Sequence, residues 1–239
     1  MKYIPSILLF FFLLSFSSCS TKTVESELPE PNPPTPVIPE EPTPEKEKML
    51  WFDAEANFER FSKKENITYY LDLAKSTGFN KIVVDVRPVQ GDALFKSSYL
   101  TPLTDLADTH IERDWDYLQF FIDEAHKREL KVTVSATIFT AGLPSSKNGM
   151  AYRDDTWDGK TCLEYTKDQG LIDIKDDKTK VSAFLNPVLP EVQDFCLNFI
   201  KELVTNYNFD GFALDYCRYP GDESCLLYTS PSPRDRSVS

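Results

Sequence analysis

The chain has 239 residues, with 26 Lys and Arg against 38 Asp and Glu, and a formal charge of −12. An acidic chain repels phosphate backbones, which excludes nucleic acid as a partner. The five cysteines, Cys19, Cys162, Cys196, Cys217 and Cys225, show no CxxC or other metal-binding spacing, so neither a metal nor another cofactor is expected, and Cys162, Cys196 and Cys217 read as buried free thiols.

Met1 and Lys2 precede an apolar run over residues 7–14, shorter than the roughly 20 residues needed to cross a bilayer. Ser15-Phe16-Ser17-Ser18-Cys19 follows directly. Small residues leading to a cysteine at this point resemble a bacterial lipobox, in which the thiol is lipidated and becomes the new N-terminus; an ordinary cleaved signal peptide is the alternative. Residues 1–19 are therefore expected to be a lipoprotein signal peptide, with Cys19 anchoring the protein to a membrane of the cell envelope. Residues 20–48 read as a tether. Pro29, Pro31, Pro33, Pro34, Pro36, Pro39, Pro42 and Pro44 alternate with Glu and Thr and few apolar residues. Such a stretch stays unfolded and is stiffened toward polyproline II.

From residue 49 the pattern alternates between strand and helix. Residues 50–56 read as a first strand with Trp51, Asp53 and Glu55 on one face. A helix capped by Asn66 follows, with Ile67, Tyr70, Leu71 and Ala74 as its apolar stripe and Gly78-Phe79 as its stop. KIVVDVR, residues 81–87, is a β-branched second strand ended by Pro88. After a loop containing Gly91-Asp92-Ala93, Asp114 is expected to cap a second helix whose stripe is Trp115, Leu118, Phe121, Ile122 and Ala125. Residues 131–138 form a third strand. A long charged insertion over residues 139–180 has a length that suits the shaping of a site. Pro190 opens a third helix with Glu191 and Asp194 near its positive end, and Val192, Phe195, Phe199 and Leu203 as its stripe. DGFALDY, residues 210–216, is the fourth strand.

Strand–helix repetition at this spacing predicts a parallel α/β sheet. The absence of a Gly-rich loop after the first strand weighs against a nucleotide-binding fold. The strand faces favour a barrel. Val83, Asp85 and Arg87 oppose Ile82, Val84 and Val86; Thr133, Ser135 and Thr137 oppose Val132, Val134 and Ala136; Gly211, Ala213 and Asp215 oppose Phe212 and Leu214. One face is apolar and suits covering helices. The other is small or polar, with charge gathered at the C-terminal end, where barrel active sites are built.

Four blocks carry a family resemblance: KIVVDVRPVQGDALFKS at residues 81–97, DEAHKREL at 123–130, LNPVLPEVQDF at 185–195 and DGFALDYCRYP at 210–220. Together, over residues 50–220, they resemble the glycosyl hydrolase-like 10 family, which implies a TIM barrel and action on a glycosidic bond. Glu129 stands where the family usually has Gly. SATIFTAG replaces its aromatic-Asn-Pro-Tyr-Arg segment after the third strand, the part expected to contact sugar. GFALD is also similar to the fourth-strand block of the α-amylase superfamily, with Ala213 in place of Arg.

Cys225 begins CLLYTSPSPRD, residues 225–235, which reads in order as the translation of a transposase-type sequencing adapter. Residues 225–239 are accordingly set apart as an artefact. The folded domain is expected to occupy residues 49–224, to form about the first four β/α units of a partial (β/α)8 TIM barrel, and to be inactive alone.

Glycoside hydrolysis generally uses two carboxyl groups. Asp215, inward-facing at the end of the fourth strand, is the catalytic candidate, with a structural Asp bracing the next loop as the alternative. Asp53, Glu55, Asp85, Arg87 and Asp92 are candidates for binding sugar, with an Asp85–Arg87 salt bridge as the competing reading of that pair. Trp51 reads as a barrel-floor residue, and His126 as a helix-terminal cation. A second catalytic carboxylate is expected from a later strand. Three functions follow: a glycoside hydrolase of the cell envelope acting on a polysaccharide or peptidoglycan glycan, a lipid-anchored glycan-binding protein with a degenerate site, and, disfavoured by the missing Gly-rich loop, a nucleotide-binding protein.

Overall fold

The computed structural model describes residues 46–220. Cys19, most of the proline-rich tether and the adapter-like tail with Cys225 lie outside the described residues. In chain order the elements are β1 (Met49–Phe52), α1 (Lys64–Ser76), β2 (Lys81–Arg87), β3 (Asp105–Leu106), β4 (Thr109–His110), α2 (Tyr117–His126), β5 (Lys131–Thr137), α3 (Met150–Arg153), β6 (Leu163–Thr166), β7 (Gly170–Asp173), α4 (Pro190–Asn206) and β8 (Gly211–Asp215).

β1, β2, β5 and β8 form one parallel sheet whose spatial order is their chain order. Each crossover carries one long helix: α1, α2 and α4. A sheet that grows in one direction, with its helices on one face, is the arrangement of four consecutive β/α units of a TIM barrel rather than of a doubly wound sheet, whose order reverses. The helix-covered face is the apolar one expected from the strand alternation. Ile82, Val84, Val86, Val132, Val134 and Ala136 are fully buried and join one core with Ile67, Leu71, Leu118, Phe121, Phe199 and Leu203 from the helices. Phe121 packs edge-on against Phe52 and Phe61, with ring centroids 5.2 and 6.0 Å away. Each such fully buried side chain contributes roughly 1.5–3 kcal/mol.

The helix ends show how local chemistry selects boundaries. α1 begins earlier than expected, with Lys63 as its extended N-cap. Asn66 lies inside the first turn, its amide donating to the Arg60 carbonyl at 2.8 Å, and does not cap the helix. α2 is capped by Asp116 rather than Asp114, because Asp116 is the carboxylate placed to accept from the N–H three residues on, Gln119, at 3.1 Å. Gly78 stops α1 as expected, at φ +86°, with Phe79 N–H donating to the Ala74 carbonyl at 3.0 Å. Pro190 opens α4 as expected. β1 is shorter than expected and ends at Phe52.

The insertion after β5 is ordered. It contains α3 and the β6–β7 hairpin, and it folds back on the end of β5 through Ala141 N–H to the Ala183 carbonyl (2.8 Å) and Leu185 N–H to the Phe139 carbonyl (2.7 Å). Gly149 permits the close approach to the loop after β2: at φ +105° a Cβ there would stand 2.4 Å from the Gln90 carbonyl oxygen. Cys162 and Cys196 are buried as expected, whereas Cys217 is exposed.

Candidate active site

The polar face of the sheet ends in a cleft of about 160 Å³ at the C-terminal tips of β1, β2, β5 and β8. Four carboxylates line it, Asp53, Glu55, Asp85 and Asp215, together with Thr137 and Tyr216. The sheet register explains the gathering. β5 pairs with β8 so that Thr137 stands opposite Asp215, and β2 pairs with β5 so that Asp85 stands opposite Ser135.

Asp215 is the last residue of β8 and is partly exposed. Its carbonyl accepts from Ile138 N–H at 2.8 Å, and its Oδ1 accepts from Tyr216 N–H at 2.7 Å. That second bond is made by a turn at Tyr216, whose φ of +45° is uncommon for a bulky residue. The Tyr216 ring is held against Phe184, with centroids 5.9 Å apart, and lies 5.1 Å from the Arg218 guanidinium.

Asp85 is more deeply set. Its Oδ1 accepts from Trp51 Nε1–H at 2.9 Å, and the Ser135 hydroxyl and Ala54 N–H lie near enough to favour its charged form. Burial pushes its carboxyl above the usual range, these donors oppose the rise, and the nearby Asp53 charge adds to it; the net direction is upward. Trp51 is 52 % exposed and tied to Asp85, not a buried floor residue.

Glu55 and Asp53 lie just past the end of β1 and reach the cleft from a turn. Asp53 Oδ1 accepts from Ala56 N–H at 2.9 Å. Glu55 is solvent-exposed, and its Oε1 accepts from Val89 N–H at 2.8 Å. Partial burial raises the Glu55 carboxyl, the Val89 bond opposes this, and Asp53 reinforces it, leaving the group above the ordinary glutamate value.

Arg87 departs from the expected alternation. A bulge between Asp85 and Arg87 leaves Val86 without a partner, so that Arg87 pairs with Ala136 on the helix-covered side. Its guanidinium is fully buried, 5.1 Å from the centre of the Phe199 ring of α4, and donates to the carbonyls of Thr137 and, at 2.9 Å, Thr140. Burial pushes its pKa down to about 10. Among the described residues no carboxylate forms an ion pair with Arg87, so the Asp85–Arg87 salt bridge is not made. Asp92 does not line the cleft. It is buried and paired with Arg153, whose Nη2 lies 2.8 Å from both carboxylate oxygens, and it ties the loop after β2 to α3. His126 binds Asp210 Oδ2 at 2.9 Å at the opposite end of the sheet.

The structure therefore brings Asp53, Glu55, Asp85 and Asp215 together and turns Arg87 and Asp92 to structural bonds. Sequence reading did not find Val89 and Tyr216. Both act on the carboxylates through main-chain N–H groups, which leave no mark in residue type. Among the described residues no cluster of three or more His, Cys, Asp or Glu is arranged to hold a metal ion.

Comparison with known proteins adds a family. Residues 47–228 match Glycosyl hydrolase-like 10. The S-layer-related protein of Niallia circulans is 32 % identical over 187 residues, covering 75 % of this chain and 12 % of its own length. Glycosyl hydrolase DigH of Escherichia coli K12 is 30 % identical over 156 residues, covering 63 % of this chain and 34 % of its own. The chain thus spans about a third or less of these curated relatives. Among solved structures, a hypothetical protein from Ruminiclostridium thermocellum superposes with a TM-score of 0.47 at 18 % identity, covering 73 % of this chain and 84 % of that one. Alpha-L-fucosidase isoenzyme 2 from Paenibacillus thiaminolyticus superposes with a TM-score of 0.46 at 22 % identity, covering 64 % and 20 %.

Proposed function

Because the chain belongs to the glycosyl hydrolase-like 10 family, we infer that it carries part of the catalytic face of a glycoside hydrolase acting on a polysaccharide or peptidoglycan glycan of the bacterial cell envelope. The observation that carries this reading is the convergence of Asp215 with three further carboxylates in one cleft at the C-terminal ends of parallel strands. Carboxylates so placed can stabilise or attack an anomeric carbon and exchange a proton with the leaving oxygen. Asp215 suits the attacking role by position, since the Tyr216 N–H fixes one carboxylate oxygen at the strand end that lines the cleft. The half-exposed Trp51 ring beside Asp85 offers a surface on which a sugar can stack. In this reading a lipid on Cys19 anchors the protein and residues 20–48 hold the domain off the membrane. Incorporation of labelled fatty acid, lost in Cys19→Ala, tests that part.

Because these four strands lack the later strand expected to supply the second carboxylate, the activity is tested in a protein that carries the whole barrel, incubated with envelope polysaccharides and peptidoglycan, by counting new reducing ends. Asp215→Asn keeps the shape and removes the charge, so turnover falls by about two orders of magnitude or more while glycan binding persists. A stable Asn variant with near-normal turnover removes Asp215 from the mechanism. Binding without any turnover by the unaltered protein supports a glycan-binding protein instead.

A further inference from the structure

We propose that the cavity enclosed by the loop after β2 and the start of α2 is a second binding site, which takes a small organic anion with an apolar body and a carboxylate head. The cavity holds about 400 Å³ and shares no lining residue with the carboxylate cleft. The proposal does not depend on the glycosidase reading.

The walls set the body of the ligand. Leu94, Phe95, Leu103, Ile111, Trp115 and Tyr117 line the space. A pocket of this size with mainly apolar and aromatic walls suits a small aliphatic or aromatic molecule. A sugar presents hydroxyls in most directions and would leave them unpaired against these walls.

The polar groups set the head. Arg113 also lines the cavity, with its guanidinium 4.8 Å from the centre of the Phe58 ring and 5.6 Å from that of Tyr117. Its Nη2 donates to Ser62 Oγ at 2.6 Å and its Nη1 to the Leu103 carbonyl at 3.3 Å, both neutral acceptors. Its Nε is buried and has no hydrogen-bond partner. Among the described residues no carboxylate forms an ion pair with this guanidinium. The two carboxylates of the lining are engaged elsewhere. Asp116 accepts from Gln119 N–H with one oxygen and from the Tyr207 hydroxyl with the other. The Glu112 side chain is exposed and stands 3.8 Å from His110. A cation partly withdrawn from water without an anion is unfavourable, and a bound carboxylate that meets the planar fork supplies the missing charge. Tyr117 is 3 % exposed, and its hydroxyl is likewise buried without a partner. An unpaired buried hydroxyl carries a cost that a ligand oxygen removes. Lys96, exposed and part of the same lining, adds a second positive charge.

The test uses the full chain and a matched pair of probes, hydrocinnamate and hydrocinnamamide, which share a body and differ in the charge of the head. Binding is followed by ligand-observed NMR and needs no turnover. The acid should bind with a Kd of about 1 mM or tighter, as befits a ligand of this size. The amide should bind at least about tenfold more weakly, the difference expected when a hydrogen bond to a charged group is lost. Arg113→Gln should bring the two probes to equal affinity. Lys96→Glu is an exposed change that leaves the core untouched; it should weaken the acid about threefold and leave the amide as it was, and it decides the matter if Arg113→Gln does not fold. Equal affinities in the unaltered protein, a preference for the acid that survives Arg113→Gln, or an acid affinity that ignores Lys96→Glu overturns the proposal. So does the absence of saturable binding by either probe, which would mean that water alone satisfies Arg113 and Tyr117.

Discussion

At the scale of single residues, two helix stops make a controlled comparison. Gly78 ends α1 at φ +86°, a conformation that costs glycine little. Glu129 ends α2 at φ +54°, with Leu130 N–H donating to the Ala125 carbonyl at 3.0 Å. The second stop has the geometry of a glycine stop without the glycine. A side chain in this region costs roughly 1–2 kcal/mol. What Glu129 gains is a 3.4 Å pair with Lys75 in which its own side chain is 89 % exposed, and exposed pairs contribute at most about 1 kcal/mol. Glu129→Gly should therefore stabilise the fold by about 1 kcal/mol net, read as a higher urea midpoint with an unchanged slope. A lower midpoint would mean that the surface pair outweighs the backbone strain.

At the scale of elements, the decisive feature is the bulge in β2. It separates Asp85, whose carboxylate faces the cleft, from Arg87, whose buried guanidinium lies in the cleft wall and is bonded to main-chain carbonyls. The displaced guanidinium joins β2 to the end of β5 and the start of the insertion through the Thr137 and Thr140 carbonyls. A lysine keeps the charge but offers a single ammonium where a planar fork met two acceptors. Arg87→Lys should destabilise the domain by about 2–4 kcal/mol, since hydrogen bonds to charged groups are worth about 1.5–3 kcal/mol each and a stranded buried acceptor adds to the loss. Chemical denaturation measures this, and a change below about 0.5 kcal/mol would show that the clamp is idle. The bulge also marks where the sequence ceased to be legible. The β2, β5 and β8 runs could be bounded to within a residue because β-branched alternation exposes both the strand and its faces. One unpaired residue reverses that alternation for everything after it, and nothing in VDVRP signals the insertion. The N-caps failed for a related reason. Asp114 and Asp116 are chemically alike, and the choice fell to the one that also receives the Tyr207 hydroxyl at 2.7 Å from the end of α4. That partner lies 91 residues away along the chain. Glu55, Asp85 and Asp215 were legible as polar ends of strands. Their holding partners were not, because Val89 and Tyr216 donate through main-chain N–H groups.

At the scale of the whole molecule, the carboxylates whose pKa the fold shifts fall into two classes with opposite pH dependence. Lys127 and Arg128 hold Glu124 below the usual range, and Thr179 does the same for Asp177. Burial pushes Asp210 up, but Val132 N–H and His126 outweigh it and leave it low. These groups are depressed in the folded state, so their stabilisation is present above the unfolded carboxylate range and is lost as pH falls through their folded values. Glu55 and Asp85 are shifted the other way, chiefly by burial. The folded chain holds their protons more tightly than the unfolded chain, so stability declines as pH rises from the unfolded carboxylate range through their folded values. Melting temperature should therefore peak in mildly acidic solution, falling steeply on the acid side and gently toward neutrality. Glu55→Gln should flatten the neutral side and leave the acid side intact; an unchanged neutral slope would show that Glu55 contributes nothing to it.

The supports of the cleft share a property that matters for descent with modification. Val89 offers Glu55 its peptide N–H, Tyr216 offers Asp215 the same, and Arg87 grips two peptide carbonyls. Any residue except proline carries the N–H groups, and every residue carries the carbonyls. The side chains at positions 89 and 216 can therefore change without removing the N–H that holds each carboxylate, provided the backbone path is kept, whereas the Thr137 hydroxyl is itself bonded to Arg87. Relatives of this chain can preserve the same arrangement of carboxylates while differing at positions 89 and 216.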